Sequence, residues 1–245
     1  MADQPTLTRT FRLSAAQCNP QRELAPAHLV QYLIETATAH ADSLGFGYSR
    51  LQELGIIWVL SRITLDIDRF PQVFETFAIT TWVESYNRHF SERNFEITDA
   101  TGITIGRAHT TWMAIDIATR RPGDLSALND ICSHICARPC PVEKGSALRR
   151  PAAPDNIAQY TFQVSDLDCN RHVTSARYVE LALDRMPLEV YDRCRLTRLE
   201  IAYRQEARFG QTAVIESATA DGLTTTAITV DGQAACLVRY RLEPR

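Results

Sequence analysis

Leu60–Ile79 reads LSRITLDIDRFPQVFETFAI, and Leu196–Ile215 reads LTRLEIAYRQEARFGQTAVI. The two stretches align without a gap at an offset of 196 − 60 = 136 residues. Apolar residues alternate with polar ones in both: Ile63, Leu65 and Ile67 in the first, Leu199, Ile201 and Tyr203 in the second. Side chains two apart lie on one face of an extended chain, so each stretch predicts a strand with one buried face. A strand that recurs at a fixed offset points to a duplicated unit.

Upstream of each strand the apolar period becomes helical. PAHLVQYLIETATAHADSLG sets Leu29, Leu33, Ala37 and Leu44 on one stripe, with Pro26 suited to the first turn and Gly45 to the end. TSARYVELALDRMP does the same with Ala176, Val179, Leu183 and Met186; Thr174 or Ser175 can cap it and Pro187 stops it. The predicted helices are Ala27–Leu44 and Thr174–Met186. Downstream lie β-rich runs, Asn94–Asp116 turning at Thr101-Gly102 and Thr224–Leu242 turning at Asp231-Gly232. Pro139, Pro141, Pro151 and Pro154 mark a linker. The chain therefore divides into 1–131, a linker 132–155, and 156–245. One helix followed by long antiparallel strands, twice, is an α+β arrangement with each sheet wrapped around a central helix.

At 245 residues and 45% apolar, the chain suffices for one large domain or two small ones. A net charge of −3 argues against bulk nucleic-acid binding. No run approaches a membrane span, and MADQPTLTRTFRLSAAQC lacks the apolar segment of a secretory leader, so a cytoplasmic protein with no membrane partner is expected. Seven scattered cysteines read as reduced thiols. CSHICARPCP holds Cys132, His134, Cys136 and Cys140, but no second distant pair of the kind zinc knuckles use. These are read as small apolar cysteines of the linker; neither a metal nor a cofactor is expected.

In SDLDCNRHVTSARY, Asp168, Asn170 and His172 stand two residues apart just before the second helix. In an extended segment their heads would converge, with the free amides of the helix start aimed at the same volume. Such a place suits developing negative charge. Taken alone, the residues equally describe a helix cap beside a surface histidine. Cys169 would point away and pack, and Trp58, Trp82 and Trp112 are read as core.

Four motifs in order resemble the acyl-acyl carrier protein (acyl-ACP) thioesterases. They are WVLSRITLDIDRFP from Trp58, RAHTTWMAIDIATRRP from Arg107, DCNRHVTSARY from Asp168 and YRQEA from Tyr203. The resemblance spans about Phe11 to Arg241 and implies a tandem double hotdog, whose first half walls an acyl tunnel and whose second half carries the chemistry. It implies catalytic positions at Asp168, Asn170, His172 and Glu206. Two departures stand out: Thr174 and Ser175 replace paired asparagines, and Ala207 replaces a cysteine, so no cysteine nucleophile is open there.

The implied reaction is hydrolysis of a fatty acyl-ACP thioester by a polar network, with free fatty acid released. Acyl-CoA hydrolysis on the same scaffold, or a non-catalytic acyl-binding module, are the alternatives. The implied partner is acyl carrier protein bearing a phosphopantetheine-linked chain, docked by some of Arg171, Arg177, Arg193, Arg195, Arg204 and Arg208. A homodimer is left open, because the repeat supplies within one chain the pairing that single units obtain by dimerising. The ungapped repeat sets Phe70 against Glu206, and alignment through Tyr32 and Tyr178 sets Arg22, Leu24 and Pro26 against Asp168, Asn170 and His172. One active site, in the second half only, is the expectation.

Overall fold

A computed structural model describes residues 5–126 and 131–245, with Ile131 and Cys132 described for backbone alone. The first four residues and the Cys132 side chain, on which part of the sequence reading falls, lie outside the described residues. The first half runs β1 (Thr6–Arg12), α1 (Pro26–Ser43), α2 (Tyr48–Glu53), β2 (Ile56–Ile67), β3 (Thr76–Tyr86), β4 (Phe90–Asp99) and β5 (Thr104–Asp116). The second runs β6 (Asn156–Thr161), α3 (Ser175–Leu183), α4 (Leu188–Arg193), β7 (Cys194–Tyr203), β8 (Thr212–Ala220), β9 (Leu223–Val230) and β10 (Gln233–Pro244).

The strands form one sheet in the order β1-β3-β4-β5-β2-β7-β10-β9-β8-β6, so the second half mirrors the first. Every pairing is antiparallel. The halves join where β2 meets β7, and there Thr64 lies opposite Glu200. Since 200 − 64 = 136, Thr64 faces its own repeat equivalent, and the pseudo-twofold passes through this pair. Pairing skips Ser61 in β2 and Thr197 in β7, which are again 197 − 61 = 136 apart. A bulge bends and twists its strand; here it does so at equivalent points of both halves.

The inner face packs on the helices. Leu29 and Leu33 of α1, Ile63 and Leu65 of β2, Val179 and Ala182 of α3, and Leu199 and Ile201 of β7 belong to one continuous buried core. Helices α1 and α3 touch each other, α1 packing on β1 and β3 and α3 on β8, β9 and β10. The second helix ends three residues before the predicted Met186. Pro187 disfavours helical geometry in the residue before it and instead opens the separate short α4.

The linker lies across the outer face and is tied to it through charge. Arg138 stacks 4.1 Å above the Trp82 ring and bonds Glu96 at 2.6 Å. Arg150 grips Glu216 with two bonds of 2.5 and 2.7 Å. At the axis, buried Glu200 accepts from Arg198 Nε at 2.9 Å and Arg239 Nε at 2.6 Å. Gly145 presses directly on the pair, its N–H donating to Thr64 Oγ1 at 3.2 Å. A Cβ there would sit 2.9 Å from Thr64 Oγ1 and 3.2 Å from Glu200 Cδ. Gly145→Val should therefore lower stability by about 1–3 kcal/mol, as overpacking does. Urea unfolding measures it; an unchanged midpoint would show that the linker is not held against the axis.

Candidate active site

The segment before α3 is a closed turn rather than an extended strand. Asp168 Oδ1 accepts from the N–H of Asn170 at 2.8 Å and of His172 at 3.0 Å. Asp168 N–H donates to His172 O at 2.8 Å, and Arg171 takes left-handed φ of 65° to close the loop. Short acidic side chains bond nearby backbone in this way, and the local bonds override the two-residue period. The three side chains thus do not line up by alternation. The Asp168 carboxylate turns onto its own backbone and fixes the direction in which His172 leaves it. Cys169 is exposed on this turn, not packed.

Glu206 arrives through one backbone bond. Val173 N–H donates to Ala207 O at 2.9 Å, laying the segment after β7 beside the turn. Glu206 Oε2 then lies 3.2 Å from His172 Nε2, with the two side chains 32% and 21% exposed. The carboxylate faces the turn and not the outer side of the sheet. Its Oε1 is bonded by Arg120 of the first half. Arg120 sits at φ 57° in a turn after β5, where Arg120 N–H donates to Asp116 O at 2.9 Å and Asp116 Oδ1 accepts from Thr119 N–H at 2.7 Å. The four residues expected to form the site all lie in the second half, and the first half adds to them one partner that the sequence reading did not include, Arg120. Arg120 was visible in ATRRP, but nothing in one sequence says that this turn reaches across.

Asn170 is exposed, and its carboxamide makes no hydrogen bond among the described residues. Thr174 caps α3, its Oγ1 accepting from Arg177 N–H at 3.2 Å, while Tyr203 Oη–H donates to Ser175 O at 3.1 Å. The remaining first-turn amides, of Ser175 and Ala176, have no acceptor within the helix. Of the arginines proposed for docking, Arg177 is consumed internally by Asp166, Glu180 and Tyr160, and Arg195 bonds Asp68 O. Arg171, Arg204 and Arg208 are exposed around the turn.

The first half repeats the turn in altered form. Asn19 Oδ1 accepts from Glu23 N–H at 2.9 Å, Asn19 N–H donates to Glu23 O at 2.8 Å, and Arg22 has φ 65°. Leu24 N–H donates to Pro71 O at 2.9 Å, as Val173 does to Ala207. The equivalents of Asp168, Asn170 and His172 are Asn19, Gln21 and Glu23, at an offset of 172 − 23 = 149. This replaces the alignment through Tyr32 and Tyr178, which was three residues out of step because helical identity is a weak guide to register. Phe70 does stand at the place of Glu206, since Pro71 and Ala207 make the matching bond. Glu23, at the histidine's place, is held bidentately by Arg245 at 2.6 and 2.8 Å.

A cavity opens between α1, α2 and the sheet of the first half, with about 120 Å³ open to the centre of a water-sized sphere. Ala37, Ala41, Leu51, Trp58 and Trp112 supply apolar wall, so two of the tryptophans read as core pack against the buried core and also line this space. Buried Arg93 also lines it, with Nη1 2.6 Å from His40 Nδ1, and burial pushes its pKa down to about 9. The cavity lies at the β2 start and β5 end, the end from which the Arg120 turn leaves. Among the described residues, the group of three metal-ligating side chains, Glu84, His109 and Cys140, lies elsewhere, on the outer face.

Comparison with known proteins assigns this arrangement. The sequence model for the acyl-ACP thioesterase N-terminal domain matches residues 5–135, and that for the C-terminal domain matches residues 150–240. The chain belongs to the acyl-ACP thioesterase family. It is 27% identical over 226 residues to a chloroplastic palmitoyl-acyl carrier protein thioesterase of Cuphea hookeriana, covering 86% of this chain and 54% of that protein. It is 28% identical over 211 residues to an Arabidopsis thaliana oleoyl-acyl carrier protein thioesterase, covering 78% and 56%. The chain thus spans about half the length of these plant relatives. A crystal structure of an acyl-ACP thioesterase from Bacteroides thetaiotaomicron superposes with a TM-score of 0.92 at 32% identity, covering 99% of this chain and 100% of that one. The 12:0-ACP thioesterase from Umbellularia californica shares the fold, with a TM-score of 0.88 at 19% identity over 99% and 98%. The double hotdog of this family is the architecture observed.

The Asn19 turn shows that an amide can close this loop, with one backbone bond from Glu23 N–H where Asp168 accepts two. Asp168→Asn should therefore keep the fold and the His172 direction, whereas Asp168→Ala loses two backbone bonds worth about 1 kcal/mol each. Turnover of the asparagine variant should exceed that of the alanine variant by roughly tenfold or more. Equal loss in two folded variants would mean that the charge of Asp168, and not its turn, is what activity needs.

Proposed function

We propose that this chain hydrolyses the thioester of a fatty acyl chain carried on acyl carrier protein. The observation that carries the reading is the contact of Glu206 with His172 across two loops, with Arg120 fixing the other carboxylate oxygen. Family membership and the apolar cavity support it.

A thiol of pKa near ~8.5 leaves readily, so the reaction needs an activated water and a place for negative charge, with no covalent intermediate. The acyl chain enters the first-half cavity, and the thioester carbonyl lies before the start of α3. Glu206, held by Arg120, takes a proton from water as the water oxygen bonds to the carbonyl carbon. Asn170 and the first-turn amides of α3 donate to the oxyanion. When the C–S bond breaks, its electron pair goes to sulfur, and the thiolate takes up the proton by way of His172. The products are the free acid and the carrier's thiol. Exposed Arg171, Arg204 and Arg208 offer bidentate contacts to an acidic carrier.

Glu206→Gln should remain folded and bind substrate while kcat falls about 10²-fold or more on acyl-carrier substrate. Assay of the parent chain on matched acyl-carrier and acyl-CoA substrates should favour the carrier-bound form. Turnover near that of the parent in folded Glu206→Gln would remove this residue from the chemistry, and no hydrolysis of either substrate by the parent would overturn the function.

The cavity generates a separate expectation. Arg93 places a desolvated cation on a mostly apolar wall, and a methylene chain cannot satisfy it. Arg93→Met keeps the volume and removes the charge, so kcat/KM for chains longer by a few methylenes should rise roughly tenfold relative to shorter ones. Profiling the released acids measures the shift; an unchanged profile would place the acyl chain elsewhere.

A further inference from the structure

On the outer face of the first-half sheet, beneath the linker, four potential ligands meet the chain's single lysine. One ligand atom each from Glu84, His109 and Cys140 lie within 4.8 Å of one another. Glu92 stands at the edge of this group, its Oε1 3.5 Å from His109 Nε2. Lys144 Nζ reaches both carboxylates, Glu84 at 2.9 Å and Glu92 at 3.0 Å. His109 pairs across the strands with Thr64, whose side chain meets Gly145 of the linker, which places the group on the face opposite the α1 core.

The hydrogen bonds fix how the histidine is presented. Asn94 donates its Nδ2–H to Glu84 Oε2 at 2.9 Å, so its Oδ1 faces His109 Nδ1 at 2.8 Å and accepts from it. With Nδ1 carrying the proton, Nε2 turns a bare lone pair toward the Glu92 carboxylate. Two electron-rich atoms at 3.5 Å repel unless something positive lies between them. The charges agree: two carboxylates against one ammonium leave a surplus negative charge. A divalent ion that displaces both the Cys140 thiol proton and the Lys144 ammonium leaves the same single surplus charge, three negative ligands against two positive, so the exchange costs the group no net charge.

We propose that Glu84, Glu92, His109 and Cys140 form a binding site for a divalent transition cation of the zinc type, with the Lys144 ammonium standing in that place when the ion is absent. Thiolate, imidazole and carboxylate together suit zinc rather than calcium or magnesium, which take oxygen ligands. Bonds of about 2.0–2.3 Å put ligand atoms roughly 3.3–3.8 Å apart in a tetrahedral shell, so the side chains must close by about 1 Å. Nδ1–H to Asn94 would supply the outer hydrogen bond that orients a ligating imidazole. Lys144 is 41% exposed and free to swing to solvent. Because Cys140 and Lys144 belong to the linker and Glu84, Glu92 and His109 to the sheet, the ion would staple one to the other. The site is structural and separate from Glu206 and His172.

The test is titration of the metal-free chain with cobalt(II) and zinc. One cobalt per chain should give thiolate-to-cobalt charge-transfer absorption, lost in Cys140→Ser. Zinc should raise the melting temperature of the parent chain and not of Cys140→Ser. Lys144→Gln, which removes the competing ammonium, should tighten zinc binding by about tenfold or more in calorimetry. Absence of both cobalt absorption and zinc heat, in the parent and in Lys144→Gln, would overturn the proposal. Binding unaffected by Cys140→Ser would overturn it equally, by placing the ion elsewhere.

Discussion

The pairing of β2 with β7 through Thr64 and Glu200 is the contact on which the rest of the molecule depends. It joins two five-stranded sheets into one and places the pseudo-twofold through a residue and its own repeat equivalent. Because the axis runs there, α1 and α3 meet inside a shared core, and elements at the end of β5 come within reach of those after β7. A carboxylate at such a joint would be costly if left unpaired. Arg198 and Arg239 satisfy Glu200 from the sheet, and Gly145 lets the linker lie close enough to exclude water from it.

Symmetry also shows what the two halves have done with one turn. Both keep a side-chain oxygen at the first position, a left-handed arginine at the fourth, and a backbone bond to the strand end. Where the second half has His172 beside Glu206, the first has Glu23 beside Phe70, and Arg245 neutralises Glu23. A phenyl ring cannot accept a proton, so the first-half turn lacks the pair on which the proposed chemistry relies. What the first half supplies instead is wall, through the cavity around Trp58 and Trp112, and one cation, Arg120.

That cation alters the meaning of the site. A carboxylate held by a guanidinium at one oxygen presents the other in a fixed direction, which is the preorganisation a general base needs. Arg120 depends on its own turn, built from Asp116 and Thr119, so the geometry at Glu206 is set by residues some ninety positions earlier in the chain (206 − 116 = 90). The linker works similarly on the opposite face. Arg138, Lys144 and Arg150 each meet a glutamate of the sheet, and the segment that joins the halves also covers them.

The sequence by itself determined the duplication, the two helices and the buried faces of the repeated strands. Those features follow from periodicity and turn chemistry, which act between near neighbours: Pro26 opened α1, Thr174 capped α3, and Asp231-Gly232 turned the last hairpin. Asp168, Asn170, His172 and Glu206 were legible through motif resemblance, but their arrangement was not. An extended segment would have aligned the first three; the folded chain spends Asp168 on its own backbone. Short edge strands β1 and β6 and short helices α2 and α4 left too few periods to read. Arg120 beside Glu206, Asn19 as the partner of Asp168, and Cys140 beside His109 were decided only by tertiary structure. In each case the residues meet because sheet register brings distant turns together, and register is a property of the paired strands rather than of any one of them.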